Sequence, residues 1–271
     1  MMKSLSPVKI NLVLTVMLLL VCRAYGQDKP ITIKISGSRQ TQTEIYKASE
    51  AAGFGLGAQM NFRLLKGLEV QLKVNYDYLA LSQNNVLDEW DWDYWEKTYI
   101  DFLPGTNAQT VNKSLTYTSA DSIYSAVFDP TQRLKELRLM SGLEYNFPLS
   151  KRIKLFLGID AGVSLFFREL QMNEHWTKRF KIDSLSTTKF DYEFQYDLLH
   201  FAPTKKGSKL FAAPRLGFRL TLNPSLDFDL AAHYIHYLNW NEFAGIRLTH
   251  GHEWFPLKSK FLVSFGLVFK Y

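Results

Sequence analysis

The sequence predicts an all-β protein: a single antiparallel β-barrel that crosses a membrane, with eight strands. Three observations carry that expectation. Most of the chain alternates apolar and polar residues with a period of two. Short turns at one end of the strands face very long connections at the other. Aromatic residues gather at the ends of the apolar faces, while Leu, Ile, Val and Ala fill the middles. Composition agrees. With 15% aromatic and 21% charged residues the 271-residue chain is no disordered polymer, and its length suits one closed barrel.

The first segment reads as an address. Lys3 and Lys9 precede an apolar run from Ile10 to Val21, and small residues follow at Ala24 and Gly26. This is the pattern of a secretory signal peptide, residues 1–26, cut after Gly26. The run is too short to span a bilayer as a helix, which needs about 20 residues. Cys22 is the only cysteine, and Val21 before it argues against lipid attachment, so residues 27–271 are expected to hold no disulfide and no thiol chemistry. Lys3, Lys9 and Arg23 leave with the peptide and no acid does, so the formal charge of +6 becomes +3. No basic stripe remains that fits nucleic acid.

The strands follow in order. Residues 30–37 form a short first strand. Gly53–Leu64 and Leu68–Tyr78 make a hairpin across Lys66 and Gly67. Leu137–Phe147 and Ile153–Phe167 pair across Pro148–Arg152, and Leu210–Leu222 and Leu226–Leu238 pair across Asn223–Ser225. Phe261–Tyr271 closes the set of eight, and a strand within Gly245–His252 would raise the count toward ten. The connections at about 83–133 and 169–209 are expected to be extracellular loops.

A soluble barrel has the same period, so the period alone does not say which face is wet. The polar faces hold Gly55, Gly57, Gly142, Gly158, Gly162, Gly217 and Gly266, a poor choice for a solvated strand surface but apt for a narrow interior. The inward face then carries Arg63, Lys73, Arg138, Lys154, Arg168, Arg215, Arg219 and Lys270 against Glu69, Asp77, Glu144, Asp160, Asp227 and Asp229. Signs so nearly balanced in an eight-stranded lumen are expected to pair and hold it shut rather than to select ions.

Chemistry is sparse. His250 and His252 share a face beside Glu253, a spacing open to zinc, but rim histidines are more often solvated. Ser264 and His250 are near only in sequence, and Asp88, Asp91 and Asp93 lack a calcium-loop glycine. No catalytic residue, metal or cofactor is expected. Trp90, Trp92, Tyr94 and Trp95 in the first loop and Trp176 in the second form a candidate interaction surface. Basic residues of the second loop, Lys178, Arg179, Lys181, Lys205 and Lys206, suit lipopolysaccharide phosphates.

The hairpin made of Ser141-Gly-Leu-Glu-Tyr-Asn-Phe-Pro148 and Gly158-Ile-Asp-Ala-Gly162, the closing Phe265-Gly-Leu-Val-Phe-Lys-Tyr271 and the leader before Gln27 resemble the small outer-membrane β-barrel proteins of Bacteroidetes, a broad family that includes PorT-like proteins. The resemblance covers most of 53–271 outside the two loops. It implies the outer membrane of a Gram-negative cell and contact with its lipid and lipopolysaccharide. It also implies a terminal aromatic read by the barrel-insertion machinery, with Tyr271 where the family more often has Phe. The expected role is structural, or the binding of a partner or ligand through the loops. A place in a type IX-like secretion or transport assembly, with an envelope or secretion protein as partner, and an outer-membrane lipid-modifying enzyme are the alternatives.

Overall fold

A computed structural model describes residues 31–45, 50–83, 85–103, 106–107, 111–119, 121–181, 192–238 and 255–270. The leader, the strand considered within Gly245–His252, the group His250, His252 and Glu253, and Tyr271 lie outside the described residues. The strands are β1 (Ile31–Ile45), β2 (Glu50–Leu65), β3 (Leu68–Ser82), β4 (Ser114–Thr118), β5 (Ser122–Pro148), β6 (Ile153–Phe180), β7 (Tyr192–Phe201), β8 (Lys205–Asn223), β9 (Leu226–Leu238) and β10 (Leu257–Lys270).

Eight of these close a ring in the order β1, β2, β3, β5, β6, β8, β9, β10, with β10 hydrogen-bonded back to β1. Every pairing is antiparallel. Closure leaves no edge among the eight ring strands, the condition for a sheet in lipid. The β2–β3, β5–β6 and β8–β9 turns and the ends Ile31 and Lys270 share one rim.

The other two strands put regular structure into the two long connections. β5 and β6 have 27 and 28 residues, whereas a membrane-spanning strand needs about 9–11. Their hairpin therefore stands far above the rim. β4 adds to it above β3, and β7 adds to it above β8. The result is a four-stranded wall, β4-β5-β6-β7, continuous with one side of the barrel. Between β3 and β4 the chain forms two short helices, α1 (Val86–Glu89) and α2 (Asp93–Trp95), and a π-helical turn (Glu96–Ile100).

Two apolar clusters hold these parts together. One lies inside the upper barrel, where Leu79, Leu134, Phe166, Phe211, Ile235 and Phe255 meet. The second joins the helical segment to the wall, through Trp90, Trp95, Tyr99, Phe128, Leu170 and Met172. Trp95 lies 4.6 Å from Tyr99 and 4.7 Å from Phe128, in the tilted and edge-on geometries that aromatic pairs prefer.

Candidate functional site

The lumen is built from the inward residue of each alternating pair. Along β3 these are Gln71, Lys73 and Asp77, along β5 Glu136, Arg138 and Glu144, and along β8 Arg215 and Arg219. Near the short-turn rim, Arg219 meets Glu144 at 3.0 Å, Asp229 at 3.2 Å and Glu69 at 3.6 Å. Lys34 reaches Asp229 at 2.5 Å. One level up, Arg215 binds Glu144 at 2.8 Å and Asp160 at 3.3 Å, donates to Gln71, and Lys73 binds Asp160 at 2.7 Å. Higher still, Arg138 binds Asp77 at 2.5 Å, and Lys260 binds both Asp77 at 3.1 Å and Glu136 at 3.0 Å. Tyr237 and Ser164 donate to the other oxygen of Glu136 at 2.7 and 2.9 Å.

These bonds cross the barrel. β10 and β5 are four strands apart in either direction around the ring, so the Lys260–Glu136 pair is a diameter. Lys260, Asp77 and Glu136 are all 0% exposed. Within this network six cations (Lys34, Lys73, Arg138, Arg215, Arg219, Lys260) face six acids (Glu69, Asp77, Glu136, Glu144, Asp160, Asp229), so the network is balanced in formal charge. The inward glycines make room. A Cβ on Gly142 would strike the carboxylate of Asp160, and one on Gly55 that of Asp77.

Each charged position read from the sequence has a place. Glu69, Lys73, Asp77, Arg138, Glu144, Asp160, Arg215, Arg219 and Asp229 are joined in the network. Asp227 is apart from it, buried at the rim and paired with Lys270 at 2.5 Å. Arg168 sits higher, bonded to Gln83 and Gln132, with its guanidinium over Trp90 at 4.8 Å. Arg63 shares the side of Glu69, its register partner, but stands exposed at the short-turn rim, and Lys154 is half-buried at the same rim. Lys34, Glu136, Lys260 and Tyr237 are network members that the strand boundaries drawn from sequence leave out or pass over. The signal for them is parity: Lys260 lies two residues before inward Leu262, and Glu136 two before Arg138.

The outer face is its inverse. Ile35, Phe54, Leu56, Leu139, Leu143, Leu157, Ile159, Leu216 and Phe265 stand exposed around the ring. Phe54 stacks on Tyr78 at 5.7 Å toward the upper rim, and Tyr145 meets Phe147 at 4.6 Å toward the lower. A closed barrel with a charged inside, an apolar outside and aromatic borders is a membrane-spanning barrel of the outer-membrane type.

The candidate surface of aromatic residues needs correction. Trp90 is 2% exposed, Trp95 is 0% and Trp92 is also buried, because the helical segment folds their rings down onto β5 and β6. Tyr94 and Trp176 are half-buried at the edge of that cluster. They surround a buried acid, Glu174, whose carboxylate accepts Tyr99 Oη and Trp176 Nε1, each at 2.6 Å, and faces His200 Nε2 at 3.3 Å. Burial and the bond to Glu174 push the Tyr99 phenol well above its usual range. The open aromatic surface lies further up the same wall face. Register puts Tyr117, Tyr124, Lys178, Phe194 and Tyr196 on one side. The Lys178 ammonium lies 5.2 Å from the Tyr124 ring centre, 5.1 Å from Tyr196 and 5.6 Å from Trp176.

Neither a protein-family model nor a curated protein matches the chain. Among solved structures, Neisserial surface protein A is similar at 12% identity and TM-score 0.41, over 89% of this chain and 97% of that one. A major outer membrane protein from Thermus thermophilus is similar at 8% identity and TM-score 0.42, over 89% and 99%. The outer membrane protein OprG from Pseudomonas aeruginosa is similar at 12% identity and TM-score 0.40, over 89% and 96%.

Proposed function

We propose that this chain is an outer-membrane recognition protein: a sealed barrel fixes a stiff extracellular wall, and the open aromatic face of the wall meets a partner or ligand. The observation that supports this most is the division of the wall face. The helical cap covers the part nearest the membrane, while Tyr117, Tyr192 and Phe194, the last 54% exposed, stay uncovered above it. A broad exposed apolar patch of this kind usually marks a contact surface. Flat rings in rows, such as Tyr192 on Phe194 and Trp176 on Tyr196, each with 9° between planes, suit sugar rings or the aromatic anchors of a protein.

Cations at the upper rim favour lipopolysaccharide as one partner. Arg39, Arg133 and Lys206 are exposed and stand on outward positions, in register with Phe54, Ala80 and Phe167 respectively. Guanidinium and ammonium groups there would form charge-assisted bonds to phosphate. This reading assigns no catalytic step to the protein.

Photo-crosslinking in native cells tests the reading, with a probe residue at Tyr117 or Phe194 and a control at lipid-facing Leu157. Discrete adducts from the wall that vanish with Tyr196→Ala support recognition by this face. Adducts from Leu157 alone overturn it.

A further inference from the structure

The lipid-facing wall has a dent where β2, β3, β5 and β6 pass side by side. Its floor is Ser141 and Ala161, two small outward residues that are cross-strand partners, and Leu72 is next to Ser141 in the same register row. Larger side chains, Phe62, Leu143 and Ile159, stand along its sides, and the groove holds about 360 Å³. That is within the roughly 300–1,000 Å³ usual for ligand pockets. It begins close to the short-turn rim, because Val70 and Phe62 lie within a few residues of the turn at Lys66. Lys66 is exposed at that turn, and Gly67 beside it lies against the Tyr145 ring.

We infer that this groove seats one acyl chain of an anionic phospholipid, with its headgroup at Lys66. The inference rests on the barrel being membrane-spanning. A chain in the groove leaves one apolar surrounding for another, so no hydrophobic gain selects it. What selects it is close packing against a floor of small residues and the charge at the mouth. Lys66 supplies that charge on the side where the short turns meet the inner leaflet, with Lys151 and Arg152 exposed on the neighbouring β5–β6 turn. The shape takes any acyl chain, and the ammonium asks for a negative head.

The experiment uses full-length mature protein released from mixed micelles of phosphatidylglycerol and phosphatidylcholine into native mass spectrometry. Wild type should retain one phospholipid and prefer phosphatidylglycerol. Lys66→Gln should keep a bound chain but lose about fivefold in preference, the scale of one cation near an anionic surface. Ser141→Leu with Ala161→Leu, both on the lipid side, should abolish retention. Equal retention by the filled groove, or an unchanged preference in Lys66→Gln, overturns the inference. Should the filled variant not fold, Lys66→Gln alone decides. Failure of wild type to insert into vesicles would instead defeat the membrane reading.

Discussion

Lys260→Met removes the cation at the centre of the diametric bridge, and its effect can be worked out from the surroundings. Asp77 keeps Arg138 at 2.5 Å and so stays compensated. Glu136 keeps the hydroxyls of Tyr237 and Ser164 but loses the ammonium that faced it. A fully buried carboxylate without its cation is the costly case, on the order of 3–5 kcal/mol. Met matches the volume of Lys closely enough that a cavity adds little. Urea unfolding in lipid vesicles, followed by tryptophan fluorescence, measures the loss. Adding Glu136→Gln should recover about 1–3 kcal/mol, because the amide still accepts from both hydroxyls and needs no cation. A single-variant cost under about 1 kcal/mol, or two costs additive to within about 0.5 kcal/mol, would refute the coupling of this buried pair across the barrel.

Planar bilayers containing wild type should show no steady current, and large stable channels would mean that the ion pairs open readily. Leu157, 55% exposed on the outer face, should tolerate no charge: between the lower aromatic border and the midplane, Leu157→Arg is expected to cost about 1–3 kcal/mol, read as loss of the folded band on unheated gels. Gly158→Arg should fail for another reason, since a side chain there runs into the Leu143 carbonyl and the Arg215 guanidinium. Unaltered thermal stability would count against the packed lumen. Tyr99 gives a pH test of the cap. Its raised phenol pKa means that the stabilisation it brings is whole below the ordinary value of 10.0 and fades as the solution becomes more alkaline. Near-ultraviolet circular dichroism should then report loosening of the tryptophans at high pH, absent in Tyr99→Phe.

The ring strands were legible because lipid enforces a strict rule: every second residue must be apolar. The run Ile153–Phe167 carries that rule without a break, and its partner strand follows from the turn that precedes it. Above the membrane the rule lapses. There the wall is wet on one side and packed by its own cap on the other, so β5 and β6 continue under a weaker pattern. β7 did leave a mark, Tyr192, Phe194 and Tyr196 alternating with Glu193, Gln195 and Asp197, within what reads as a loop. The tryptophans of Trp90–Trp95 could not be placed from sequence, because acids interleaved with rings look alike whether the rings face water or fold inward. Only the contact with Phe128 and Met172, far along the chain, separates the two. Charge pairing across the lumen was out of reach for a similar reason: parity gives the side of the wall but not which residues meet across it.

β5 and β6 run in unbroken register from the turn at Ser150 to the tip near Phe180, with no bulge between them. The hairpin is in effect a beam with no joint at the water–lipid boundary. A pull on its top cannot be absorbed by bending at the rim and must lean the whole cylinder in the bilayer. The upper face of the wall is thereby held at a set height and heading above the bilayer.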